Sequence, residues 1–398
     1  MGNRKESIQD LAILGGSPAF ANALHVGKPR LVDRDLFLQK VNGILDREWY
    51  TNSGPVLREF EEEVALRASV KHCIAVCNGT KALEITIRAL GLTGEVIVPA
   101  FTFVATAHAL YWQGVVPVFC DIEPDAHQID VERIEKLITP RTSAILAVHL
   151  WGNACDIDEL EKLAEKHNLR LVFDASHSFG TTYKGRTVGT FGDAEAVSFH
   201  ATKMIQTFEG GAILTNSDSL AEKSRLMTNF GFVDYDEVGC IGTNGKLSEI
   251  HAAMGLTCLK HLQPILESYK QRHECYQELL KDIPRIRLVP HKPGGNHQYV
   301  VIEITHDLPK ARDLLCRVLQ EEGVIARRYF YPGCHNMAPY NSFPTSPDVP
   351  ITDEIASKVV VLPSGPSVTN SDVEGIAAII VLAMRDIERL SKNLEGRE

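Results

Sequence analysis

The sequence predicts an α/β fold in which a mainly parallel seven-stranded sheet carries helices on both faces, followed by a smaller α+β part. Three observations lead there. Seven short apolar runs occur between residues 72 and 215, at 72–77, 95–99, 115–120, 144–148, 169–173, 194–199 and 211–215, and several are apolar throughout, as strands covered on both faces must be. The segments between them are largely helical in pattern: Leu83, Ile87 and Leu90 share a face of one, and Ile157 to His167 opens on Asp156 and Glu159, a capping-box spacing. Finally, 398 residues with 44% apolar and 23% charged side chains suffice for one large domain and a smaller one.

Residues 1–30 contain Gly15-Gly16-Ser17-Pro18 and Pro29 and read as an extended arm. Asp33 to Glu48 is a helix with Leu36, Leu38, Val41 and Leu45 near helical spacing; Trp49 to Pro55 breaks it, and Val56 to Ala68 resumes as an acidic amphipathic helix. After the seven strands, a helical pattern runs from Leu247 to about Leu280 with a break near Pro264. Gln298 to Ile304 and Val324 to Tyr329 read as strands, Ala311 to Glu322 as a helix, and Ser371 to Leu390 as a last helix with Ser371 and Glu374 as its capping box. The expected division is an arm at 1–30, a large domain at 31–265 and a small domain at 266–398, with a ligand cleft between the last two.

A net charge of −10 argues against nucleic acid, whose phosphates are held by basic surfaces, so an anionic small molecule would need a local basic pocket. Nine cysteines, odd in number and never spaced Cys-x-x-Cys, read as free thiols of a reducing cytoplasm; no metal site is expected. The amino terminus is polar, and the longest uncharged apolar run, Gly375 to Met384, is too short to span a bilayer of roughly 30 Å. A cytoplasmic enzyme with no membrane partner is expected.

The chemistry concentrates between Val197 and Thr215. One lysine, Lys203, sits on a turn between two strands, and Glu209-Gly210-Gly211 leads into the second of them. A lysine so placed can lose solvation and become the amine that attacks a carbonyl to form a Schiff base; taken singly, it is better read as a solvated surface residue. Asp174, at the end of Leu171-Val172-Phe173, shifts that balance. A Schiff-base lysine and a strand-end carboxylate are the pair that pyridoxal phosphate requires, one carrying the cofactor and the other keeping its ring nitrogen protonated. Asn78-Gly79-Thr80 lies between a strand and a helix start, where free N–H groups can hold a phosphate, and Ser198 is a second phosphate candidate. The plain alternatives are a helix cap and a serine bonded to its own backbone. Phe103 can stack on a flat ring or simply fill core, and His177 can bond a ring substituent or be a satisfied core histidine.

The order of Asn78-Gly79-Thr80, Phe101-Thr102-Phe103, Asp174-Ala175-Ser176-His177, Ser198 to Lys203 and Glu209-Gly210-Gly211 resembles the nucleotide-sugar aminotransferases of the DegT/StrS family, fold type I of the pyridoxal-phosphate enzymes. The resemblance extends to Thr51-Asn52-Ser53-Gly54-Pro55, to Gly242 through Glu249, and to Tyr331-Pro332-Gly333-Cys334-His335, nearly the whole chain. It implies Lys203 as the cofactor-bearing lysine, Asp174 beside the pyridine nitrogen, and His177 beside the ring oxygen, where many relatives have Gln. It further implies Gly79, Thr80 and Ser198 on the phosphate, and Phe103 against the ring, where some relatives have Trp. Asn244 and Lys246, the latter an Arg in many relatives, would reach the site of a neighbouring subunit, so a homodimer is implied. Thr51, Asn52, Lys246, Tyr331 and His335 are the implied substrate contacts. His-Ala-Thr-Lys, Phe-Glu-Gly-Gly and Asn-Gly-Lys resemble the branch that aminates C4, which implies dTDP-4-keto-6-deoxy-D-glucose as substrate and L-glutamate as donor. The alternatives are a GDP- or UDP-linked sugar, amination at C3, a dehydratase of the same family, and a non-catalytic sensor. A dehydratase usually has His where Lys203 stands. A nicotinamide-dependent oxidoreductase is disfavoured, since no Gly-x-Gly-x-x-Gly follows a strand and no Tyr-x-x-x-Lys pair is present.

Overall fold

The structure is a computed structural model and describes residues 5–343 and 348–395. The seven strands are β1 (His72–Val76), β2 (Glu95–Pro99), β3 (Val116–Cys120), β4 (Thr142–Val148), β5 (Arg170–Asp174), β6 (Ala194–Ser198) and β7 (Gly211–Thr215). They form one sheet in the order β1-β7-β6-β5-β4-β2-β3, in which only β7 runs antiparallel to its neighbours. The exception follows from connectivity, because β6 and β7 are joined without a crossover helix and so must run in opposite directions.

Alternate residues of each strand go to opposite faces. Ile97, Ile145, Phe173 and Val197 meet helices α1 (Arg34–Arg47), α2 (Pro55–Ala68), α5 (Ile157–His167) and α7 (Glu249–Lys260). Val98, Leu146, Val172 and Ala196 meet α3 (Gly79–Ala89), α4 (Ala105–Trp112) and α6 (Asp218–Thr228). A period of two with both faces apolar is why these strands read as unbroken hydrophobic runs.

A second, antiparallel sheet of β8 (Ile286–Leu288), β9 (Val300–Ile304) and β10 (Val359–Leu362) packs with α9 (Ala311–Glu321) and α11 (Asn370–Arg385), α10 (Pro350–Lys358) lying between them in sequence. Helix α8 (Leu262–Leu280) serves both cores: Ile265 and Tyr269 join the first, Tyr276 and Leu280 the second, so the expected boundary at 265/266 falls inside a helix. Residues 5–30 are not a free arm. Ile8 and Leu11 enter the second core on two short 3-10 turns, and Leu24–His25 pairs with Val324–Ile325. The strand expected as far as Tyr329 ends at Ile325, where its pairing partner ends.

Several local expectations move for identifiable reasons. The helical break lies at His261 rather than Pro264, because a proline in the first turn of α8 has no intrahelical partner to lose. The capping box of α11 is Thr369 with Asp372, two residues earlier than Ser371 with Glu374, and a second helix, Ile387–Glu395, follows it. Asp156 heads α5 but makes no capping bond; its carboxylate accepts from the Tyr183 hydroxyl instead. Among the described residues no helix is long and apolar enough to cross a membrane.

The start of α2 shows how distant motifs meet. Gly54 has no side chain to cap the helix, and the fully buried Glu249 of α7 accepts from the Val56 and Leu57 N–H groups at 3.0 and 2.8 Å. A Cβ on Gly54 would come within 2.5 Å of Glu249 Cδ. Bonds from helix N–H groups to a buried carboxylate are charge-assisted and favoured by the helix dipole. Glu249→Ala is therefore expected to lower stability by about 2–3 kcal/mol, read as a fall in denaturant midpoint at unchanged m-value; an unchanged midpoint would contradict this account.

Candidate active site

Asp174 is the last residue of β5, at the carboxyl edge of the sheet. Its buried carboxylate accepts hydrogen bonds from Thr106 Oγ1 at 2.9 Å and from the Ser176 N–H at 3.1 Å. Lys203 lies in the loop between β6 and β7, which folds back on itself through Phe199 N–H to Gly210 O, Thr207 N–H to Phe199 O and Lys203 N–H to His200 O. Both side chains line one cavity of about 440 Å³.

Lys203 Nζ is 3.4 Å from the Tyr299 hydroxyl. Removal from bulk solvent lowers its pKa to about 8, while the nearby Asp174 carboxylate acts in the opposite direction. Burial also pushes His177 well below its usual range, and Lys203 adds to that effect. The His177 ring lies near-parallel to those of Trp151 and Phe330, 6.1 Å from each, and 4.4 Å from that of Tyr299. Its Nδ1 is buried with no hydrogen-bond partner, a polar atom left for a ligand.

The amino end of α3 opens on the same cavity. Asn78 Oδ1 takes the Lys81 N–H at 2.8 Å and the Asn78 carbonyl takes that of Ala82, so the Gly79 and Thr80 N–H groups have no acceptor within the helix. Gly79, Thr80 and Ser198 all line the cavity. Two glycines let these pieces close up. A Cβ on Gly79 would meet Ser198 Cβ at 3.0 Å, and one on Gly211 would lie 2.6 Å from Gly79 N. Glu209-Gly210-Gly211 thus acts by letting β7 run hard against the start of α3.

Of the residues expected in the site, Gly79, Thr80, Phe103, Asp174, His177, Ser198 and Lys203 are brought together here, with Phe103 more than half exposed at the mouth. The others are not. Tyr331 lies in an adjoining hollow of about 640 Å³ with Arg327 and Arg328, which shares Phe103, Tyr329 and Phe330 with the first. His335 is buried and held by Asp353 at 3.0 Å, outside either lining. Thr51, Asn52 and Asn244 are exposed; Asn52 and Lys246 line a separate small groove, where Lys246 Nζ donates to Asn229 Oδ1 at 2.7 Å. Sequence reasoning missed Thr106, Tyr299, Tyr329 and Phe330. Thr106 is one helical turn after Thr102, a spacing that marks a shared face, but nothing local points it at Asp174. The other three come from the second half of the chain.

The pattern matches the model of the DegT/DnrJ/EryC1/StrS aminotransferase family over residues 32–381. The chain belongs to this family. A dTDP-4-amino-4,6-dideoxy-D-glucose transaminase of Shigella dysenteriae is 39% identical over 361 residues, covering 90% of this chain and 98% of that one. A GDP-perosamine synthase of Vibrio cholerae is 32% identical over 346 residues, covering 85% and 94%. The crystal structure of DesI in the presence of its TDP-sugar product superimposes with a TM-score of 0.93 and 43% identity, covering 98% of this chain and all of that one. The protein is a fold type I, pyridoxal-phosphate-dependent sugar aminotransferase.

Because only the neutral amine is nucleophilic, the aminotransferase's Lys203 should react with a small aldehyde, trapped by reduction and located by peptide mass, at a rate that rises with pH and levels off above about 8. A rate still climbing toward the ordinary lysine range would contradict the burial argument.

Proposed function

We propose that this aminotransferase moves the amino group of L-glutamate to C4 of dTDP-4-keto-6-deoxy-D-glucose, giving dTDP-4-amino-4,6-dideoxy-D-glucose, with pyridoxal 5'-phosphate as cofactor. One observation carries the reading: a desolvated amine, Lys203, and a buried carboxylate, Asp174, line the same cavity at the ends of the sheet strands. The surroundings suit the cofactor. The unpartnered Nδ1 of His177 suits a polar ring substituent, and the open N–H groups of Gly79 and Thr80 with the Ser198 hydroxyl suit a phosphate.

When bound, the cofactor supplies an electron sink. In this reading Lys203 would hold the cofactor, and its amine, when free, would take a proton from the donor's α-carbon and return it to the cofactor's side of the new bond; a pKa near 8 is matched to such a transfer near neutrality. Asp174 would accept the hydrogen bond of the ring nitrogen and keep its proton there. Phe103, at the cavity mouth, would cover the ring. The hollow beside Arg327, Arg328 and Tyr331 gives the diphosphate a basic wall in a chain that is acidic overall. The similarity to a GDP-perosamine synthase favours, as second reading, the same transfer to a GDP-linked 4-keto sugar. All nine cysteines are free, which suits a reaction in the reducing cytoplasm.

The site is proposed to be completed by a second copy of the chain, with Thr51, Asn52, Asn244 and Lys246 acting across the interface. Their separation from the chain's own cavity supports this, as does the apolar surface near them: Phe230, Phe232, Val233, Tyr235 and Ile241 are all exposed, Tyr235 at 96%.

Purified protein supplied with L-glutamate and a panel of dTDP-, GDP- and UDP-linked 4-keto sugars is expected to aminate the dTDP sugar with the highest kcat/KM; no amine transfer to any of them would overturn the proposal. Lys203→Ala is expected to bind the cofactor without a covalent link and to lose about 10³-fold or more in turnover, and Asp174→Asn to retain binding but lose about 10²-fold or more. Near-normal rates in either variant would remove its assigned role. Tyr235→Asp with Ile241→Asp should turn a dimer into an inactive monomer by light scattering; an active monomer would contradict a shared site.

A further inference from the structure

Three histidines outside the cavity bring their rings together, and each carries a nitrogen without a hydrogen-bond partner. His273 stands on α8, while His291 and His297 belong to the segment between β8 and β9. One ring nitrogen of each lies within 4.8 Å of the other two, and the ring centroids are 4.4–5.1 Å apart. Nε2 of His273, Nδ1 of His291 and Nδ1 of His297 are buried and lack any hydrogen-bond partner. A buried polar atom without a partner costs about 1–3 kcal/mol, and three of them on rings clustered this closely call for a ligand.

The chemistry of that ligand follows from the protons. His291 Nε2 is 3.0 Å from the Tyr299 carbonyl oxygen, which can only accept, so the proton is on Nε2 and Nδ1 presents its lone pair. Imidazoles buried against one another disfavour a charge on any of them, so the three rings offer neutral nitrogens near pH 7. Three neutral imidazoles, one already fixed through its other nitrogen by a backbone carbonyl, are the donor set of a transition-metal cation.

We infer that His273, His291 and His297 form a binding site for a divalent cation of the zinc type, with the fourth position open to water. Tetrahedral ligands at Zn–N distances of about 2.05 Å lie about 3.4 Å apart, so the rings need to close from 4.8 Å or less. His291 and His297 are partly exposed, which gives the ion an entry path. Lys270 and Glu274 are the charged groups facing His297, and they pair with each other at 3.8 Å.

The site is structural rather than catalytic, and it does not rest on the transferase reading. It would tie α8, which serves both cores, to the segment that delivers Asn296 and Tyr299. Asn296 Nδ2 donates to the His177 and Phe179 carbonyls, and the Tyr299 hydroxyl is the group beside Lys203 Nζ.

The test uses the full chain stripped of metal by a chelator and titrated with Zn²⁺ and with Co²⁺. One equivalent of Zn²⁺ bound with a rise in Tm, and Co²⁺ visible bands of tetrahedral intensity without thiolate charge-transfer bands, are expected. His291→Ala and His273→Gln should each weaken binding by more than about tenfold, since even outer-shell changes at metal sites have effects of that size. Failure of the wild-type chain to bind Zn²⁺ saturably, a Tm that ignores Zn²⁺, as a trapped water alone would give, or a thiolate signature in the Co²⁺ spectrum would each overturn the inference without any variant having to fold. Equal binding by wild type and folded variants would do the same.

Discussion

An amine and a carboxylate held in one partly dehydrated cavity are the constraint on which the rest of the molecule depends. Burial alone would push the Lys203 amine down further, and the Asp174 carboxylate alone would hold it up; together they leave it near 8. That balance needs a fixed separation of the two groups, and loops alone would not hold one. Asp174 is carried by a strand with neighbours on both sides, and its carboxylate is tied to Thr106 on α4 and to the backbone of Ser176. Lys203 is carried by a loop whose two ends are an antiparallel strand pair.

The sheet order produces the cavity. Parallel strands present their carboxyl ends to one edge, and there β5 and β6 deliver Asp174 and Ser198 beside the start of α3. The glycines of the β7 approach then allow helix and strand to touch where any side chain would hold them apart. The cavity is closed from the other side by Tyr299, Tyr329 and Phe330, part of a cluster that packs the two sheets together with Phe101, Trp151 and Val301. Residues flanking the second sheet thus wall the site, and α8, which enters both cores, ties that sheet to the first.

Residues that look alike as motif members end in different surroundings. Ser53-Gly54-Pro55 and Ser248-Glu249 form one capping unit in which the glycine makes room for the carboxylate. Lys246, three residues before Glu249, lies in a surface groove with Asn52 instead. Tyr331 and His335, four residues apart, separate into a ligand-sized hollow and the packed interior. Proximity in a motif therefore says little about which surface a side chain reaches.

The sequence by itself determined the α/β class, all seven sheet strands to within one or two residues, and the pairing of Lys203 with Asp174 as candidates, because hydrophobic period, turn chemistry and the residue types of one cofactor are local signals. It also carried the family, through motifs spread over nearly the whole chain. Helix caps were less legible: Asp156 and Ser371 have the right residue types, but a competing partner or a cap two residues earlier wins on geometry the local pattern does not contain. What only the tertiary structure decided was every relation between distant segments: Thr106 on Asp174, Tyr299 beside Lys203, Glu249 on α2, residues 5–30 folded into the second core, and three histidines facing one another. Such contacts are set by how sheets and helices stack, and no periodicity along the chain encodes which faces will meet.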